Sequence, residues 1–509
     1  MKEKLFGFLG VVGIVVLALA FSTLGFAAEK VLKIGTSEDI RDWDGHRGTG
    51  HYEPEVKNLV YDRLIATKPG TWEIVPGAAK SWEFSKDRKE ITFHLQQGIK
   101  FQKGYGELTA EDVKFSLERQ MTPKWEVDSA PKSLDRVEVL NKYTVKVYLK
   151  SSDTSFFVSE LPKTATGRIF PKAAGEMTVA EVRRNPIGSG PYELETWQPM
   201  EKWVLKRFKD YHGKAPYYDR IEYLVFANPE TLELALEKGD IDMGIISYKA
   251  IPRFRGLKGM KLYSGPAAGY AWVGMNVSKK PFDDLRVRKA VRLAVDVDEI
   301  LVGAFEGAPK RARSMFPPEL PGYWKDAPLY QRDIKKAKEL LAEAGFPNGL
   351  SATMIVSPAN RGDLVAPILI EQLKQIGITL VPTSVTRPAQ IAGLQAGTYD
   401  MYYIEYRGFA REPFEATRWF DCEQVNPKGW NMSKWCNKEF GELRMKALVS
   451  MDEKEQASFY IQMQKIMDEE VPAVWIHNGL TAIAYKDYIN LEGKVNPDGR
   501  VVVRELTAK

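Results

Sequence analysis

At 509 residues the chain is too long for one ordinary domain and has ample length for two or three, each with its own core. Hydrophobic residues at 44% and charged residues at 27% are those of an ordinary soluble globular protein. A formal charge of +5, dispersed along the chain, supplies no basic face of the kind nucleic acid requires, so no nucleic-acid partner is expected.

The first residues read as a targeting signal. Lys2 and Lys4 make a positive start, Leu5 to Phe21 is an apolar run, and Gly25-Phe26-Ala27 supplies small residues before a cut after Ala27. The same run is just long enough to serve as an uncleaved anchor, and no cysteine follows it for lipid attachment. The expectation is a signal peptide over residues 1–27, removed near Ala27, with the mature chain outside the cytoplasmic membrane.

Val31–Thr36 reads as the first strand, ending at Gly35 and the polar loop Ser37 to Asp44. Pro54–Leu64 has helical spacing, with Val56, Leu59, Val60 and Leu64 on one face. Ala79–Phe84 and Glu90–Leu95 look like an antiparallel strand pair joined by Lys86-Asp87-Arg88. Thr109 and Asp112 form a capping box ahead of a helix over Val113–Gln120. Val137–Leu140 and Thr144–Leu149 make a second alternating pair, and the turn cluster Asn185 to Pro191 leads into strands Tyr192–Trp197 and Trp203–Arg207.

From Thr231 the pattern changes. Helices are expected over Leu232–Glu237, Val287–Ala294, Ile334–Ala344 (closed by Gly345) and Leu364–Ile376 (stopped by Gly377), with strands at Thr353–Ser357 and Ile378–Val381. This alternation points to an α/β architecture with a mostly parallel sheet covered by helices. Gly397 to Leu443 then begins with a strand-like run over Tyr399–Tyr406, breaks at Gly408, and gathers aromatics with Arg407, Arg411 and Arg418, followed by Arg444. Aromatics give rigid contact area and arginines give planar, directed hydrogen bonds, the mixture of a polar-ligand pocket. Cys422 and Cys436, the only cysteines, sit in this stretch. An oxidising compartment favours pairing them; two free thiols or half of a metal site are the alternatives, and the absence of a nearby His or third Cys argues against zinc.

Enzyme chemistry has no carrier in the sequence. There is no Gly-x-Ser-x-Gly, no phosphate-cradling loop and no CxxC, and neither a catalytic residue nor a cofactor is expected. His46 and His51, flanked by Asp44, Glu53 and Glu55, imitate a metal site, but a spacing of i and i+5 suits one helical face poorly, so a solvated loop is expected and no metal. The pairs Asp240/Asp242 and Asp283/Asp284 read as turns and helix starts.

Several separated stretches agree on one family. They are YDRLIA (61–66), WEFSKDRKEITFHLQQGIKF (82–101), LTAEDVKFSLER (108–119), NPIGSGPYELETW (185–197), GDIDM (239–243), MN-x5-PFDDLRVRKAVRLAVD (275–296), AKELLAEAGFPNG (337–349) and GTYD (397–400). In this order they resemble the extracytoplasmic solute-binding proteins of family 5, the peptide, dipeptide and nickel-type receptors of ABC importers. WFDC…WNMSKWCNKEFGEL resembles the dipeptide-binding branch in particular, where two cysteines at this spacing form a disulfide.

The resemblance implies a two-lobed α/β periplasmic binding protein fold, type II-like, with an extra subdomain in the first lobe. Lobe I would take residues 28–66, 185–272 and 480–509, with 67–184 as its subdomain, and lobe II residues 273–479. It implies a binding protein rather than an enzyme: a monomer whose lobes close on a small polar solute, a peptide by family weight, and whose closed form docks on the membrane permease. The family also contains receptors for metals and metal chelates such as nickel or haem, and sugar-like or opine-like solutes are further alternatives.

Matching positions give candidate ligand contacts: Ser37, Glu38 and Asp39 after the first strand, Trp272 and Asn276 near the lobe crossover, Glu405, Tyr406, Arg407, Phe409 and Arg411 in the loop, and Trp430 with Asn431. Each has a plain structural alternative: a solvated turn for Glu38 and Asp39, core packing for Trp272 and Trp430, exposed charge for Arg407 and Arg411. Peptide binders of this family carry an Asp that pairs with the ligand's ammonium. Counting back from Glu412-Pro413, Phe409 stands there. A buried ammonium needs a carboxylate, and Glu405 and Glu412 are the neighbouring ones.

Overall fold

Ten strands form one hydrogen-bonded sheet running through both halves of the molecule. From one edge to the other they are Ile378–Ser384, Leu350–Val356, Met401–Arg407, Met260–Met275, Ala473–Lys486, Met243–Ile245, Val31–Thr36, Arg220–Val225, Lys202–Arg207 and Tyr192–Gln198. The structure, a computed structural model, describes residues 29–47, 53–127, 130–407, 413–425, 429–450 and 452–509. The expected signal peptide, His51, Phe409 and Arg411 lie outside these residues, as does the side chain of Arg407.

The two long central strands join the halves. Met260–Met275 has 16 residues, about 50 Å of extended chain. Its first part pairs antiparallel with the end of Ala473–Lys486, which pairs in turn with Met243–Ile245 of the first half. Its last part pairs with Met401–Arg407 of the second half. Against Ala473–Lys486 its register slips twice, between Pro266 and Tyr270 and between Ala271 and Trp272. Pro266 has no N–H to give the ladder. On the facing strand, a Cβ at Gly479 would fall 2.2 Å from the Ala267 carbonyl oxygen, so only glycine lets the chains pass there.

Each half has its own core. Leu32, Ile34, Trp43, Trp203 and Ile221 centre the first. A four-stranded sheet, in the order Ala79–Phe84, Glu90–Leu95, Thr144–Leu149, Leu134–Asn141, carries the helix Ala110–Glu118. Thr109 and Asp112 form the expected capping box on that helix. The core of this sheet runs from Leu64 to Ile169, whereas Phe170, Ala174 and Val182 pack in the first-half core. The second half has an aliphatic core (Val273, Val291, Met354, Leu369) and a separate aromatic one (Tyr270, Trp272, Tyr402, Trp419, Phe420). Successive residues of Met401–Arg407 divide between them: Tyr403 packs in the first, Tyr402 and Ile404 in the second. Period-2 alternation in one strand therefore serves two cores.

Three expectations change. The sheet is mixed rather than mostly parallel: the pairs of Leu350–Val356 with both neighbours are parallel, but the strands joining the halves pair antiparallel because the chain crosses over and later returns. The first helix spans Glu53–Val60 and stops short of Leu64, since the Val60 carbonyl accepts Gly190 N at 2.9 Å and Gln102 Nε2 at 3.2 Å instead of an i+4 amide. His46 is not in a solvated loop. It is 1% exposed, with Nδ1 facing the Arg119 guanidinium at 2.9 Å and Nε2 at 3.0 Å from the Arg168 carbonyl oxygen.

Candidate functional site

A cavity of about 220 Å³ lies where the halves meet the joint. The first half contributes Ile245 to Tyr248, the joint contributes Ala267, Ala268 and Gly479 to Ala482, and the second half contributes Phe305, Arg361 and Glu405. Asp498, in a turn near the C-terminus, closes the remaining side. Apolar walls with a few charged groups from different elements are what a site for a small polar molecule needs.

Arg361 is held by a sharp strand-to-helix turn. Ser357 accepts Ala359 N, Arg361 itself takes the left-handed conformation at φ +62°, and the helix Gly362–Lys374 follows. A Cβ on Gly362 would lie 2.9 Å from Ser357 N, so glycine is required for so tight a reversal. Nη1 of Arg361 donates to the Ala304 carbonyl at 2.6 Å and pairs with Glu306 at 3.1 Å. Nε and Nη2 make no hydrogen bond among the described residues, and the side chain keeps 28% of its exposure. The guanidinium also lies 5.3 Å from the ring centre of Tyr248, which belongs to the first half and donates its hydroxyl to the Leu480 carbonyl at 3.1 Å. One cation therefore touches both halves at the cavity and retains donors for an anionic group.

Of the residues singled out in the sequence, Glu405 lines this cavity. Asp39 is tied elsewhere, accepting Ile40 N at 2.7 Å and Met200 N at 2.6 Å, and Glu38 shares a local turn with Thr36. Ser37 and Glu38 are exposed. Trp272 is fully buried in the aromatic core, its indole nitrogen donating to Tyr402 at 3.3 Å. Asn276 donates to the carbonyls of Gly397 and Tyr399, and Asn431 to those of Asp421 and Trp435. Tyr406 and Trp430 are half-buried against Trp419. Arg361, Tyr248, Thr481 and Asp498 also line the cavity and are not marked by the sequence pattern. The turn before Gly362, an arginine between a strand end and a helix start, was the one local signal for the first of them.

Cys422 and Cys436 form the expected disulfide, with Cα atoms 4.6 Å apart. Arg444 braces the same segment, donating to Asp421 at 2.9 Å and Thr417 at 3.0 Å while its guanidinium lies over the Phe414 ring. Arg418 covers Trp430 at 5.0 Å. Among the described residues no group of three His, Cys, Asp or Glu side chains is placed to hold a metal ion.

Asp44 takes a bidentate pair from Arg119, at 3.0 and 2.9 Å, inside the first half. Burial works to raise its carboxyl, but the pair with Arg119 outweighs burial and holds it below the usual carboxylate range. Burial and the Arg119 charge push the His46 imidazole well below its ordinary value, so it stays neutral. This network is framework rather than cleft.

Comparison with known proteins gives a consistent picture. The family model for bacterial extracellular solute-binding proteins, family 5, matches residues 73–427. The dipeptide-binding protein of Escherichia coli K12 is 29% identical over 447 residues, covering 82% of this chain and 83% of that protein. A glutathione-binding protein of Shigella dysenteriae serotype 1 is 28% identical over 478 residues, covering 92% of each. A structure of an ABC transporter-associated periplasmic binding protein from Helicobacter pylori, in complex with the peptide STSA, superposes with a TM-score of 0.81 at 26% identity, over 94% of this chain and 98% of that one.

Proposed function

We propose that this chain, which belongs to the bacterial extracellular solute-binding proteins of family 5, captures a peptide-like or similarly polar solute between its two halves and presents it to the permease of an ABC importer. The family is made up of binding proteins, not enzymes. Residues 28–66, 185–272 and 480–509 act as one lobe, with 67–184 as its attached subdomain and 273–479 as the other lobe, hinged near the slipped register of the two long strands. The chain works as a monomer on the outer side of the cytoplasmic membrane, after removal of residues 1–27. No helix among the described residues is long and apolar enough to cross a membrane.

The observation that carries this reading is the cavity at the joint, lined from both halves and holding Arg361 with uncommitted donors. Closure removes water from such a site, which strengthens every charge pair inside it. Arg361 reads an anionic group of the solute, and Arg407, Phe409 and Arg411 contribute further contacts. The neighbours named above bind dipeptides, glutathione and the peptide STSA, which supports a short peptide as the solute. Mass spectrometry of the solute released when protein purified from its own cells is denatured tests the assignment. A short peptide or peptide-like acid is expected; a metal chelate or a neutral sugar as the bound species would overturn it.

A further inference from the structure

We infer that the cavity receives the positively charged group of its solute on Asp498 and Thr481, at the joint and the C-terminal turn, and not on the loop around Phe409. This deepens the solute-capture reading and rests on it.

Asp498 sits in a tight turn. Asn496 N donates to the Arg500 carbonyl and Gly499 N to the Asn496 carbonyl, both at 2.8 Å, with Gly499 at φ +82°. The Pro497 carbonyl accepts Ala268 N at 3.1 Å, which fixes the turn against the joint. Asp498 lines the cavity yet is only 2% exposed. Its carboxylate accepts Arg500 N at 3.2 Å and has no ion-pair partner among the described residues. The buried cation that feels its charge, Lys163, points its ammonium over the Trp72 ring at 4.4 Å and makes no hydrogen bond to it. A buried carboxylate without a contacting cation is strongly disfavoured unless a ligand provides one.

A second observation falls on the same wall. Thr481 lines the cavity at 4% exposure, and its Oγ1 has no hydrogen-bond partner among the described residues. Hydroxyl and carboxylate together offer the acceptors that an ammonium, with three N–H donors, requires. Arg361, a pure donor, enters from the other half. Acceptors at the joint and a donor across from them define a zwitterionic solute, with its ammonium toward Asp498 and its carboxylate toward Arg361. That arrangement also accounts for Phe409: the amine does not need a carboxylate in that loop.

The test is calorimetric titration with di- and tripeptides, each with a free and an N-acetylated amino end, against the wild type, Asp498→Asn, Thr481→Val and Glu405→Gln. The wild type is expected to favour the free amine. Asp498→Asn should weaken the free-amine form roughly 30-fold or more and abolish the preference, and Thr481→Val should move affinity in the same direction by less. Should Asp498→Asn fail to fold, Thr481→Val carries the test alone, and unchanged affinity in it overturns the inference. A preference that survives Asp498→Asn, or one that Glu405→Gln removes instead, also overturns it. Equal binding of acetylated and free peptides by the wild type overturns it while leaving peptide capture standing; no binding of any free-amine peptide overturns both.

Discussion

Arg361 and Trp272 divide the two roles that an aromatic and basic composition leaves mixed. Arg361→Ala removes a guanidinium that is anchored through Nη1 on the Ala304 carbonyl and Glu306 and whose Nε and Nη2 make no hydrogen bond among the described residues. It should weaken an acidic solute by about 2 kcal/mol or more, with a melting temperature close to wild type, as calorimetry and thermal unfolding would read. Trp272→Ala should do the reverse. At 0% exposure among Tyr402, Trp419 and Phe420 it leaves a large cavity, costing about 3–5 kcal/mol of stability by chemical denaturation. His46 supplies a pH dependence whose sign is fixed. Its folded-state pKa lies well below 6.5, so as pH falls past about 6.5 the unfolded chain gains a proton that the folded one refuses. Stability then declines by up to about 1.4 kcal/mol per pH unit, and His46→Gln should flatten that slope in urea titrations between pH 7.5 and 5. Asp44 acts in a lower window: its depressed carboxyl stabilises the fold above about 3.8 and gives that up as pH falls further.

At the scale of elements, what could be read from the sequence was what neighbouring residues decide. The capping box at Thr109 and Asp112, the strands Ala79–Phe84 and Glu90–Leu95 and the glycine stop at Gly377 rest on contacts a few residues apart, and they stand as expected. The two long strands could not be read that way. Met260–Met275 contains Pro266 and three glycines and slips register twice, which erases the alternation that marks a strand. The site suffered for the same reason: Arg361 and Asp498 are 137 positions apart, and only the crossing of those strands brings both to one cavity. Glu405 was within reach because a resemblance in the loop pointed to it. The disulfide belongs to this scale too. Replacing Cys422 and Cys436 by serine should lower stability by about 3 kcal/mol on chain-entropy grounds, read as a loss in unfolding midpoint, while Arg444 continues to hold Asp421 and Thr417.

For the whole molecule, the proposed hinge rests on two strands with broken register and on Gly479, where a Cβ would meet the Ala267 carbonyl, within a sheet that is continuous across both halves. Tyr248 against Arg361, and Trp72 donating to the Glu319 carbonyl at 3.1 Å, are contacts between the halves. Solute capture is then linked to stability: at a hundred times its dissociation constant, a solute bound only by the folded state adds about 2.7 kcal/mol. The central claim, solute capture at Arg361 between the halves, is tested most directly by a thermal-shift screen of the mature wild type and Arg361→Ala against short peptides, opine-like acids and sugars. The account predicts that short peptides raise the wild-type melting temperature and that the rise is lost or much reduced in Arg361→Ala. An equal rise in both proteins, or none from any peptide, would contradict it.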